Sequence, residues 1–285
     1  MNGIINVYKP SNMSSNYVLS IIKRKCGIKK LGHLGTLDPL ATGVLPVMVN
    51  KATKLFDYYL NKTKVYRAVF TFSVETDTLD SEGKIIKVSN VTPTKEDIQK
   101  ILPKFCGKIM QIPPNFSAKK VGGQKAYDLS RKGENVVLEA KEVEIHYFKL
   151  ISQINHNSFL FEIKCSSGTY IRSLARDLAK SLNSCAFMSA LIRVQSGEFD
   201  ILATTYVNDL TKDNIFDKIN KLEDLFPKAK RIYLDDDLYK KVTNGLLVEV
   251  SQDDSDNLIV FCKNELIGIG KIEKNILKIK TNLQS

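Results

Sequence analysis

The residues best placed to do chemistry lie in one loop, Gly32-His33-Leu34-Gly35-Thr36-Leu37-Asp38-Pro39-Leu40-Ala41-Thr42-Gly43. It holds a single acid, Asp38. The glycines can adopt backbone angles closed to other residues, and Pro39 drives Asp38 toward an extended conformation while withholding an amide hydrogen. The carboxylate is therefore aimed. An aimed, ionised carboxylate can add to an electrophilic carbon or take a proton. An Asp-Pro step between glycines is also an ordinary turn signature, so the dipeptide alone leaves both readings open.

Other patterns that carry chemistry are missing. His33, His146 and His156 form no metal-ligand spacing. Cysteines 26, 106, 165, 185 and 262 include no Cys-x-x-Cys pair, so neither a zinc ribbon nor a disulfide framework is expected. Gly268-Ile269-Gly270 lacks the third glycine and following helix of a dinucleotide site, and Gly122-Gly123-Gln124-Lys125 is not a phosphate loop. No metal and no cofactor is predicted. The net charge of +11 suits a partner with a phosphate backbone. It equally suits a merely soluble, lysine-rich surface, since only seven of the 42 basic residues are arginines.

The elements that must position the loop are legible in outline. Gly3 to Pro10 reads as a strand closed by proline, and Ser14 or Ser15 caps a helix running to about Lys25 before Gly27. Residues 64 to 74 alternate, with Tyr66, Ala68, Phe70, Phe72 and Val74 on one face and Arg67, Thr71 and Ser73 on the other, which predicts a half-buried strand. Helices are predicted near 52–60, 94–102 and 172–182, and strands near 143–154, 158–165 and 190–195. Beyond about residue 226 come a short helix from Asp236 to Thr243 and short strands at 248–250, 258–261 and 266–271 with a tight turn at Lys263-Asn264-Glu265. The whole is α+β rather than a regular βαβ series. A chain of 285 residues, 43% hydrophobic, suffices for one large domain and a small one. The longest strongly apolar run, Val44 to Val49, is too short to span a bilayer, and no cationic leader precedes an apolar core. A cytoplasmic protein with no membrane partner is expected.

Position for position, the loop at 32–43 resembles the signature loop of the TruB-type tRNA pseudouridine synthases, in which the aspartate is catalytic. The likeness continues through Lys64-Val65-Tyr66-Arg67-Ala68, Thr76 to Gly83, Gln111 to Ala118, Gly168-Thr169-Tyr170-Ile171-Arg172-Ser173-Leu174 and Arg193 to Phe199. Lys119, Phe116, Ile192 and Gln195 depart from the family pattern, the last two where arginines are often found. The tail resembles a PUA domain. The resemblance implies a mixed, mainly antiparallel sheet catalytic domain over 1–226 and a small β-rich PUA-like RNA-binding domain over 229–283.

It further implies an enzyme that converts the T-loop uridine at position 55 of tRNA to pseudouridine. Asp38 acts on the sugar, and Arg172 is its partner, expected to keep the carboxylate ionised by charge attraction. Tyr66 and Tyr170 offer flat faces to the everted uracil, and a phenol near its C5 can help take the proton lost there. By resemblance His33 enters the space the uridine leaves or contacts the displaced bases, Leu191 walls the base, and Lys9 and Lys120 hold phosphate. The partner is tRNA, gripped at the T stem-loop and acceptor stem, by a monomer without guide RNA. A guide-dependent synthase of the dyskerin type is disfavoured because the chain starts some thirty residues before the loop. A protein whose main contribution is tRNA folding is the reading from another functional class.

Overall fold

The Tyr17 amide donates to the Ser14 side chain and opens the helix Ser15–Cys26, which Gly27 closes in the left-handed region at φ 71°. The cap and the glycine stop fall where their chemistry requires. This helix lays Val18, Leu19 and Ile22 on Ile5, Val7, Leu45 and Val47. The computed structural model describes residues 2–60, 62–117, 120–121, 123–125, 129, 138–222 and 229–284.

Among these residues the principal sheet runs, edge to edge, through Thr205–Tyr206, Gly3–Lys9, Thr42–Val49, Ala186–Ser196, Lys64–Phe72, Ser158–Cys165, Lys141–Asn155 and Gly107–Gln111. Neighbours are antiparallel except at the Thr205–Tyr206 edge and at the junction of Thr42–Val49 with Ala186–Ser196. That central parallel junction is short, with only Ile192 opposite Thr42 and Arg193 opposite Gly43. The strands diverge there, and the loop at 34–41 enters beside the divergence. Gly43 has a φ of 102°, and a Cβ on it would lie 2.3 Å from the Arg193 carbonyl oxygen, so glycine is required for the strands to touch.

The alternation over 64–72 is observed: Tyr66, Ala68, Phe70 and Phe72 are buried and Arg67 is exposed. Phe70 packs with Phe148 and Phe161, and the helix Ile171–Ser181 covers this face with Leu174, Ala175 and Leu178. The predicted run to residue 74 is corrected. Ser73 turns the chain with a φ of 71°, and Val74–Thr76 belongs to a separate ribbon with Ile85–Val88. The strand predicted near 190–195 extends over Ala186–Ser196.

A second sheet, ordered Arg231–Leu234, Ser255–Cys262, Glu265–Glu273, Ile276–Asn282 and Val248–Glu249, forms the C-terminal part. Its hairpins turn on Lys263-Asn264 and Lys274-Asn275, both pairs at positive φ, as two-residue antiparallel connections demand. Leu258, Val260 and Cys262 face its own core, while Ile259 and Phe261 join Leu55, Tyr59, Phe199 and Leu222 of the first part. A strand buried on both faces reads as an unbroken apolar run, which is what residues 258–262 are. Lys51 and Lys54 donate across the same seam to the carbonyls of Gln284 and Asn282. The expected boundary at 226–229 falls largely outside the described residues. Among the described residues no helix is long and apolar enough to cross a membrane.

Candidate active site

The loop carrying Asp38 is tied down at nearly every residue. Leu34 N–H donates to the Pro46 carbonyl and Ala41 N–H to the Asp38 carbonyl. Ser15, on the first turn of its helix, accepts from Leu37 N–H at 2.9 Å and donates to the Leu37 carbonyl at 3.2 Å. Ser11 Oγ donates to the Leu40 carbonyl, Lys9 Nζ to that of Pro39 and Arg193 Nη2 to that of Gly35. Backbone carbonyls so engaged cannot re-orient, and the acid between them keeps its direction.

Asp38 and Arg172 meet side-on: Nη2 donates to Oδ1 at 3.0 Å and Nε lies 3.0 Å from Oδ2. This two-point geometry fixes both planes. Arg172 is the second residue of the helix Ile171–Ser181, where a cation opposes the helix dipole. Its surroundings offset that. Nη1 donates to the Thr78 carbonyl and lies 3.4 Å from Asp80 Oδ2, and Nη2 also donates to the Phe116 carbonyl. Asp80 is held in turn by Thr78 Oγ1 and the Glu82 amide. The Arg172 side chain is 6% exposed and that of Asp38 32%, so the acid keeps one open side while its partner has none.

Burial pushes the Asp38 carboxyl above its ordinary value; Arg172 pulls it back, and Asp80 adds to the rise. The expectation that Arg172 keeps Asp38 low is thereby corrected: desolvation outweighs the guanidinium. Tyr66 is buried in the cluster that holds Leu37, Ala41 and Leu191. It stands opposite Arg193 in register; burial raises the phenol, and the charge of Arg193 pulls it back only in part. Leu191 lies two residues before Arg193 on the same strand face, opposite Ala68.

Tyr170 precedes the Arg172 helix, its N–H donating to Gln111 Oε1 at 2.8 Å and its carbonyl accepting from Gln111 Nε2 at 3.1 Å. Burial raises its hydroxyl above the ordinary value. His33 closes the strand Leu31–His33; burial, then the charge of Arg193, lowers its pKa, so its ring is neutral near pH 7. Its buried Nδ1 has no partner among the described residues.

Two of the expected phosphate ligands fare differently. Lys9 is wholly buried, and its ammonium donates to the carbonyls of Pro10, Met13 and Pro39. Three hydrogens on three carbonyls leave none for phosphate, so this expectation is corrected: Lys9 anchors the acid's loop. Burial lowers it to about 8, against the pull of Asp38. Lys120 begins the two-residue strand Lys120–Val121, and its side chain, like all of Lys119, lies outside the described residues.

Sequence reasoning missed Asp80, Arg193, Ser15 and Gln111. Asp80 and Arg193 sat in quoted strings, but nothing in a string shows that a charge is buried. Among the described residues no three His, Cys, Asp or Glu side chains gather as a metal site.

Residues 23–171 match the TruB family pseudouridylate synthase (N terminal domain). The chain belongs to this family. Members with similar sequences include tRNA pseudouridine synthase B of Clostridium tetani, 38% identical over 98% of each chain, and of Caldanaerobacter subterraneus subsp. tengcongensis, 39% identical over 98% of each. The one from Clostridium novyi is 41% identical over 87% of this chain and 86% of its own. A chain in the crystal structure of a Cbf5-Nop10-Gar1 complex superposes with a TM-score of 0.73 at 24% identity, covering 99% of this chain and 84% of that one, which shows a shared fold. As a TruB-family pseudouridylate synthase the chain is an isomerase, and Arg172, Leu191 and Arg193 lie beyond the matched residues. Their place beside Asp38 is a matter of tertiary structure.

Proposed function

We propose that this chain isomerises the T-loop uridine of tRNA, at position 55, to pseudouridine. The observation that carries the reading is the side-on pair of Asp38 and Arg172 at 3.0 Å, open on the acid's side only and adjoining the Tyr66–Leu191 wall. The reaction breaks the bond from uracil N1 to the ribose, turns the bound base, and joins C5 to the same sugar carbon. The C5 hydrogen is lost as a proton and N1 gains one, so atoms and charge balance without a cofactor. Ionised Asp38 acts on the sugar, by adding to its anomeric carbon or by taking a proton from the neighbouring carbon; both require the carboxylate. Arg172 holds its direction and disperses its charge.

The uridine must leave its stack to reach this acid, at a cost of a few kcal/mol that phosphate and stacking contacts offset. Tyr66 and Leu191 sandwich the base, Tyr170 borders it, and His33 enters the space the uridine leaves or contacts the displaced bases. Lys120 reaches a phosphate. Residues 229–283 act as a PUA-like domain against the acceptor stem, the enzyme works as a cytoplasmic monomer, and no guide RNA takes part. The decisive experiment incubates T-arm RNA with wild type and with Asp38→Asn and maps pseudouridine by carbodiimide adducts. Wild type modifies the T-loop uridine and the variant does not. Equal modification by both removes Asp38 from the chemistry, and activity only with an added guide removes the free-standing reading.

A further inference from the structure

Arg193 has the largest fully buried side chain among the described residues, at 1% exposure. The ion pairs of the site belong to Arg172. Arg193 donates to two backbone oxygens, from Nε to the Val44 carbonyl at 2.7 Å and from Nη2 to the Gly35 carbonyl at 3.1 Å, and it stands opposite Tyr66 in strand register. A buried cation matched only by neutral oxygens is costly, and an apolar residue would fill a strand interior at less expense. The charge therefore serves something other than stability.

The two acceptors and Tyr66 belong to three separate pieces of the site. Gly35 lies three residues before Asp38, Val44 is in the strand after the loop, and Tyr66 is on the strand across from Arg193. These pieces meet where the central parallel junction is only two residue pairs long, so sheet hydrogen bonds alone hold them weakly together. A planar guanidinium with donors in a fixed fork is suited to hold the two acceptors in one relation to the strand pair that carries Tyr66.

We propose that Arg193 is a positioning residue that registers the Asp38 loop against Tyr66, setting the gap in which the target base is held. It touches neither substrate nor phosphate, because its side chain has no open surface. The choice of substrate rests on the uridine-isomerisation reading; the brace itself does not.

The test uses full-length protein carrying Arg193→Lys, which keeps the charge and loses the fork, and Arg193→Gln, each alone and combined with Tyr66→Phe. On T-arm RNA, kcat falls about 100-fold in Arg193→Gln, the order expected for a misplacement near 1 Å, and KM stays within about twofold. In the Tyr66→Phe background the same substitution costs clearly less, because the phenol that the brace positions is already gone. Independently of turnover, difluorotyrosine placed at position 66 titrates higher by about one pH unit in Arg193→Gln than with Arg193 present, since a nearby cation favours the phenolate. A raised KM at unchanged kcat would show a phosphate ligand instead. Strictly additive losses with an unmoved position-66 titration would show only a structural arginine, and either result overturns the proposal. Failure of wild type to modify RNA would count against the uridine reading, and the titration would still decide the brace.

Discussion

At the scale of single residues, the site is a carboxylate that must be charged in a place that resists charge. Burial raises Asp38 and Arg172 only partly restores it. Because the reaction needs the ionised form, activity is full above the raised value and is lost as pH falls through it. The acid limb of a kcat profile is therefore expected at a higher pH than that of an ordinary aspartate, whose value is about 3.9. A limb at or below that value would contradict the burial argument. Lys9 makes a second prediction at this scale. Its ammonium is spent on three carbonyls, so Lys9→Met should lower kcat by loosening the loop and leave the RNA dissociation constant and its salt slope unchanged. If Lys9 instead held a phosphate, the slope of log affinity against log salt would lessen by about one. The pairing of Arg172 with Asp38 was suggested by the family's strings; its side-on geometry was not. The burial of Asp80 and Arg193 was not, since a charged residue in a turn or strand looks solvated until its neighbours are known.

At the scale of elements, the site depends on two strands that touch over two residues. Gly43 permits the contact: a Cβ there would meet the Arg193 carbonyl at 2.3 Å, and its φ of 102° is strained for any other residue. Gly43→Ala should destabilise the protein by about 1–3 kcal/mol or more, and it should depress kcat more than RNA binding because the strand it displaces carries Arg193. Urea unfolding and paired kinetic and binding measurements separate the two effects; an unchanged midpoint would mean that the backbone shifts without cost. The helix Ser15–Cys26 and the strand Lys64–Phe72 were legible because one has its cap and stop and the other its alternation. Thr42–Val49 was not identified as a strand. A short apolar run fits a buried strand or a helix segment equally well, and only its pairing with Gly3–Lys9 decides.

At the scale of the whole molecule, the two sheets share a core. Leu266 and Ile269 of the second share a cluster with Ile4, Val44, Met48 and Phe199 of the first, and Leu55 and Tyr59 join it from the helical segment at 50–60. Calorimetry should accordingly show one cooperative transition, and Leu266→Ala should lower it as a unit, by about 2–5 kcal/mol of stability. Two transitions, with only the later sheet affected, would mean that the seam carries little. The chain's residues by themselves determined which acid is aimed, which strand face is buried and where the first helix starts and stops, because caps, glycine angles and side-chain periodicity act within a few neighbours. The tertiary structure alone decided that Lys9 faces carbonyls rather than solvent, that Asp38 rises rather than falls, and that Arg193 joins three distant segments. Burial and charge balance are sums over residues far apart in the chain, and no local pattern contains them.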